Sequence, residues 1–209
     1  MGRKQRPPAE VFLNVPYDQP FENLFLAYIA GIRTFGLAPR ATLEIRGGER
    51  RLEKIRNLIA KCRYSIHDLS RVELDRSAPR TPRFNMPFEL GLAVAHQMST
   101  PPQPHDWFVC EALGLRLLKS LSDLNGTDPY VHGGTIVGVF RELRNIFTRP
   151  GRQPTVQQMR RVYRHVRRSV PSILHKSGSD SLYNATVFKD LVVAAGVAVD
   201  KTLTQFARK

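Results

Sequence analysis

Between residues 11 and 112 the chain alternates short apolar runs with stretches of helical spacing. "VFLNV" (Val11–Val15) stops at Pro16 and reads as a buried strand. Asp18 can then cap a helix with Pro20 in its first turn. Phe21, Leu24, Phe25, Tyr28, Ile29 and Ile32 keep the helical period, and Gly36 is a stop. "LAPRATLEI" repeats the strand and "GGERRLEKIRNLIAKC" the helix, with Leu52, Ile55, Leu58 and Ile59 on one face. "YSIHDL", "PFELGLAVAHQM" and "DWFVCEA" add a third strand, a third helix and a fourth strand. Strands separated by helices pair in parallel, so the spacing predicts a parallel sheet covered by helices on both faces. Such sheets bind ligands in the crevice beyond the carboxyl ends of their strands.

The second half predicts more helix. "LGLRLLKSLSDLNGTDPYVHGG" has a helical stretch, a turn at Asn125–Gly126 and an extended piece at Tyr130 and Val131. "TIVGVFRELRNIFTR", "TVQQMRRVYRHVRRSV" and "SDSLYNATVFKDLVVAAGVAVDKTLTQF" are amphipathic helices, with a hinge at Pro150–Gly151. Three segments follow: a flexible basic tail (1–9), an α/β domain (10–134) and a basic helical extension packed on it (135–209).

Charge narrows the partners. The chain carries net +14, and from Arg141 to Lys176 ten Arg or Lys face one acid, Glu142. This fits a solvated arginine-rich face or a surface for an anion, nonspecific nucleic acid included. No apolar run reaches the roughly 18 residues of a membrane span, and no apolar segment follows the basic N-terminus as in a secretory signal. Cys62 and Cys110 lack metal-ligand spacing and read as free thiols of a cytoplasmic protein. The histidines likewise show no ligand spacing, so no metal site and no resident cofactor is expected.

The residues after each strand are the site candidates. Asn14 could hold a base edge or sugar hydroxyl, or satisfy its own turn; Tyr17, next to Pro16, could stack on a base or cover the core. Arg46 beside Gly47–Gly48 could hold a phosphate or sit in a solvated loop. Asp68 could cap the following turn or bind a ribose hydroxyl, with Ser70 and Arg71 close behind it. His67 points to the opposite face from Asp68 if the strand persists. In "RFNMPFELGLAVA" (83–95) a lone carboxylate, Glu89, follows Asn85 and Met86 inside an apolar run. Apolar surroundings raise a carboxylate's pKa unless hydrogen bonds hold it charged. Gly91 is expected to let its helix lie close to a strand or ligand.

The ordered combination "VFLNVPYD", "SIHDLS" and "FELGLAVA" resembles the nucleoside deoxyribosyltransferase superfamily and the TIR-type domains. With "PRFNMPFELGLA" and "SDLNGTDPYVHGG" it looks most like a family of bacterial TIR-like proteins. The resemblance spans Val11 to Gly134 and implies a flavodoxin-like three-layer sandwich with a parallel sheet of four to five strands. It also implies that Glu89 attacks or stabilises an anomeric carbon and that Asp68 orients the substrate. NAD or another nucleotide would be substrate rather than cofactor, with NAD depletion in antiphage defence as a physiological role. Because related folds complete their sites with a neighbouring subunit, a homo-oligomer is a further expectation. The competing expectation is a non-catalytic nucleotide sensor with a basic, nucleic-acid-contacting surface.

Overall fold

The structure is a computed structural model of the 209-residue chain and describes residues 7–45, 50–72, 78, 80–99, 105–124, 126–148, 151 and 153–207. Its strands are β1 (Glu10–Asn14), β2 (Ala38–Ala41), β3 (Tyr64–Asp68), β4 (Asp106–Glu111) and the two-residue β5 (Tyr130–Val131). They form one sheet in the order β2-β1-β3-β4-β5, with every pair parallel. This is the flavodoxin-like order. The chain runs outward from β1 to β2 and then returns across it to β3, so strand order reverses at the β1–β3 boundary.

The helices are α1 (Glu22–Thr34), α2 (Arg51–Lys61), α3 (Asn85–Ser99), the short α4 (Arg116–Ser120), α5 (Ile136–Ile146), α6 (Val156–Ser177) and α7 (Ala185–Ala207). Alternation along the strands assigns them to faces. Val11 and Leu13 of β1 and Ile66 of β3 share a core with α1 and α5, whereas Phe12 packs with Ile55, Leu58 and Ile59 of α2 and Ala93 of α3. Val109 of β4 packs with Leu90 of α3 and Leu117 of α4.

The first helix begins as expected. The Asp18 carboxylate accepts from the Phe21 amide and caps a 3-10 turn (Gln19–Phe21) that leads into α1. From Leu24 to Ile32 every residue of α1 is buried, because the sheet lies on one side and α5, α6 and α7 on the other. A Cβ at Gly31 would stand 2.3 Å from Leu143 Cδ1 of α5, so any larger residue there forces the fully buried Leu143 side chain to move.

Two boundaries differ from the expectations. The expected strand over 37–45 closes at Ala41 and passes into a 3-10 turn (Thr42–Glu44). Helix α6 does not stop before Pro171 but continues to Ser177, where Gly178 at φ 61° ends it. Pro171 is exposed, so the hydrogen bond it removes faces water, while Val166 and Ile173 on the far side stay buried. Helix α5 packs on α1 and β5, and α6 and α7 pack on α1 as well. Helix α6 begins at the Thr155–Gln158 capping box.

Candidate functional site

The ends of β1 and β2 meet the first turns of α2 and α3 around a cavity of about 280 Å³. Its lining includes Asn14, Pro16, Tyr17, Asn85, Met86 and Glu89, six of the residues singled out in the sequence. Val15, Thr42, Arg51 and Arg83 complete it. It lies beside the point where strand order reverses, as the topology requires.

Glu89 is 7% exposed. Among the described residues no hydrogen bond or ion pair reaches its carboxylate. Burial pushes its pKa up to about 7, against a smaller downward pull from the Arg51 guanidinium. The apolar run thus places an acid that is close to half-ionised at neutral pH on a cavity wall.

Asn14 is fixed from behind by a directed hydrogen-bond chain. Its Nδ2 donates to the Met86 carbonyl at 2.8 Å and to His67 Nδ1 at 2.9 Å. A carbonyl can only accept, so Nδ2 cannot be exchanged with Oδ1 and His67 Nδ1 must carry no proton. His67 Nε2 therefore donates to Ser65 Oγ at 3.0 Å, and Ser65 donates to His105 Nε2 at 3.0 Å. His105 Nδ1 then donates to the Cys62 carbonyl at 2.8 Å. Both ends of the chain are obligate acceptors, and only this set of proton positions serves all the bonds. Burial, aided by the neighbouring His105, pushes His67 down to about 3, and burial also lowers His105, so both rings are neutral. The network ties the first turn of α3 to β1 and leaves Asn14 Oδ1, which takes no hydrogen bond among the described residues, as an acceptor at the cavity.

Tyr17 lines the cavity with its hydroxyl 3.1 Å from Thr42 Oγ1, and its ring packs against Phe25 and Tyr183. It covers core, and it also lines the crevice. Asp18 Oδ2 accepts from Arg71 at 3.3 Å and from Arg83 at 3.4 Å, drawing two guanidinium groups to one rim. Arg83 lines the cavity, and Arg71 does not.

Asp68 and Ser70 stand apart from this cavity. His67 pairs in register with Asn14 and turns toward α3, so the next residue, Asp68, turns toward α1. There it is fully buried. Tyr28 donates to its Oδ2 at 2.8 Å, His132 Nε2 to the same oxygen at 2.9 Å, and the Ser70 amide to Oδ1 at 2.9 Å. His132 Nδ1 accepts from the Gly134 amide, which fixes Nε2 as the protonated nitrogen. Ser70 Oγ lies 3.2 Å from His132 Nε2 and joins the same network. The expected substrate-orienting aspartate is thus on the face of the sheet opposite Glu89, holding α1, β3 and the loop after β5 together. Arg46 lies outside the described residues. Arg51, the first residue of α2, supplies a cation to the cavity and was not singled out in the sequence. Its one available signal was its place at the start of the helix after β2.

The described arginines of the Arg141–Lys176 segment lie on the solvent sides of α5 and α6, behind α1 and across the sheet from α3. No family model matches this chain, and no curated protein or solved structure is significantly similar to it.

Proposed function

We propose that the crevice binds a nucleotide-type ligand and that Glu89 acts on its N-glycosidic bond. One observation carries this reading: a buried carboxylate, without a partner among the described residues, forms part of the wall of a cavity at the switch point of the sheet. Asp68, also removed from solvent, is instead held by three donors. Glu111 at the end of β4 is also buried without a hydrogen bond among the described residues, but it does not line this cavity. Asn14 Oδ1 would accept from a ribose hydroxyl or an exocyclic amine, and Arg51 and Arg83 would neutralise phosphate. Tyr17 offers a ring face beside them.

Cleavage breaks the bond between the anomeric carbon and the base nitrogen, and the base leaves with the electron pair. A nicotinamide leaves neutral and needs no proton from the protein. The ionised Glu89 would stabilise the cationic sugar or form an ester with it, and water or an acceptor would then take the sugar. Only the ionised form serves either role, so kcat/KM should rise with pH through about 7, the pKa of the free carboxyl. A substrate carrying a pyridinium charge pulls that limb lower in kcat.

The test is incubation of wild type and Glu89→Gln with NAD and with nucleosides, followed by chromatography of free base. Wild type should release base and Glu89→Gln should not, while both bind ADP-ribose in calorimetry. Binding of ADP-ribose without any release by wild type would leave the sensor and remove the enzyme. Absence of both binding and release would remove the nucleotide reading altogether.

A further inference from the structure

Helix α3 has a second side. Phe84, Phe88, Gly91, Ala95 and Met98 follow a 4-3-4-3 spacing and lie within an arc of roughly 80°. Phe84 belongs to this helix surface, since its carbonyl accepts from the Phe88 amide. All five face solvent, with Phe84 66%, Phe88 55% and Met98 78% exposed. Gly91 was expected to bring the helix close to a strand or ligand. Instead a Cβ placed there would meet nothing within 4 Å. An apolar stripe of coiled-coil spacing with its smallest residues at the middle is a helix seam, and among the described residues no helix lies on it.

We propose that this seam is covered by α3 of a second copy of the chain, antiparallel, on a two-fold axis at Gly91. The stripe reads almost alike in both directions: Phe84 and Met98 stand seven residues either side of Gly91, Phe88 three before it and Ala95 four after. Reversal sets Phe88 against Ala95 of the second copy with an offset of one residue, about 1.5 Å. The knob also has a hole on the same surface. A groove of about 260 Å³ between α3 and the turn that follows α4 is walled by Gly91, Ala95, Leu121 and Leu124, among others, and is almost wholly apolar. A surface that carries both knob and hole is self-complementary, which a two-fold contact requires.

Charge favours the same face. Two chains of net +14 repel, yet residues 84–99 contain no Lys or Arg, and their one acid, Glu89, is buried. The arginines of α5 and α6 lie across the sheet, so contact through α3 keeps the two basic surfaces apart. At roughly 200 Å² per large side chain, the exposed parts of Phe84, Phe88 and Met98 give roughly 400 Å² per copy, half of the ~800 Å² per partner in a standard stable complex. The groove walls add to this, and the area fits a concentration-dependent dimer rather than a permanent one.

Sedimentation velocity on the full chain, from micromolar to millimolar concentration, should show reversible dimerisation. Ala95→Arg changes an exposed helical position and should leave a folded monomer. Gly91→Ala should raise the thermal midpoint, because alanine is the better helix former, while weakening the dimer about ten-fold or more by separating the backbones. Native Cys62 and Cys110 are buried, so Gly91→Cys should crosslink to its own copy under mild oxidation, and Asn57→Cys on the exposed side of α2 should not. A chain monomeric throughout, a dimer that survives Ala95→Arg, or equal crosslinking at 91 and 57 would each overturn the proposal.

Discussion

The two faces of the sheet treat their acids in opposite ways. On the α1 face Asp68 is fully buried and receives three hydrogen bonds, from Tyr28, His132 and the Ser70 amide. Helix α1 above it is itself covered on both sides. On the α3 face Glu89 is nearly as buried, but no partner among the described residues reaches it, and α3 is open to solvent along the seam beyond it. Burial therefore does not distinguish a paired acid from an unpaired one. Lack of a partner does not single out Glu89 either, because the Glu111 carboxylate is also buried without a hydrogen bond among the described residues. What sets Glu89 apart is the cavity it lines.

Asp68→Ala should break the closed face most severely. It leaves the Tyr28 hydroxyl, the His132 N–H and the Ser70 amide without their acceptor, and urea denaturation should show a loss of about 3–5 kcal/mol. Truncating the core below it, Phe25→Ala, belongs in the same range.

Glu89→Gln should act in the other direction. The carboxyl titrates near 4.5 when unfolded and about 7 when folded. Below pH 4.5 both states hold the proton and the acid has no cost. As pH rises through that window the unfolded chain ionises first, so wild-type stability falls until the folded carboxyl also ionises. Above pH 7 the glutamine variant should be more stable by up to about 3 kcal/mol, and near pH 4 the two should be equal. A variant that is less stable at both pH values would show that Glu89 is held by a partner, and the contrast with Asp68 would dissolve.

Ser65→Ala cuts the chain between His67 and His105 and should cost about 1–3 kcal/mol. His67 also sets an acid limit. Its folded pKa, about 3, lies below the ordinary 6.5, so stability present above pH 6.5 should be lost as pH falls toward 3. Smallest of all, Phe88→Ala on the open face should change monomer stability by no more than about 0.5 kcal/mol. A larger loss at high protein concentration alone would be the signature of the α3 seam.

Much of the site was legible because strand ends are legible. Pro16 closes β1, so Asn14 and Tyr17 had to lie at its carboxyl end, and the run of apolar residues in "RFNMPFELGLAVA" marked Glu89 as an acid out of place. The same logic also selected Asp68, and here sequence order misled. Adjacent residues on a strand face opposite sides, and nothing in "HDLS" states which side meets α3. Arg51 and Arg83 escaped notice because a basic chain offers many arginines, and only packing brings these two to the cavity.

The sequence by itself determined the order of strands and helices, the parallel sheet and the presence of a crevice at its carboxyl edge, because these follow from local periodicity and from the reach of a helical crossover. Only the tertiary structure decided which acids are paired and which acid lines the cavity. Whether a buried carboxylate is satisfied depends on groups far away in the chain, Tyr28 and His132 for Asp68 and none described for Glu89. It also decided that Gly91 faces outward, since the side of a helix that meets the sheet is fixed by every neighbour it packs against and not by its own period alone.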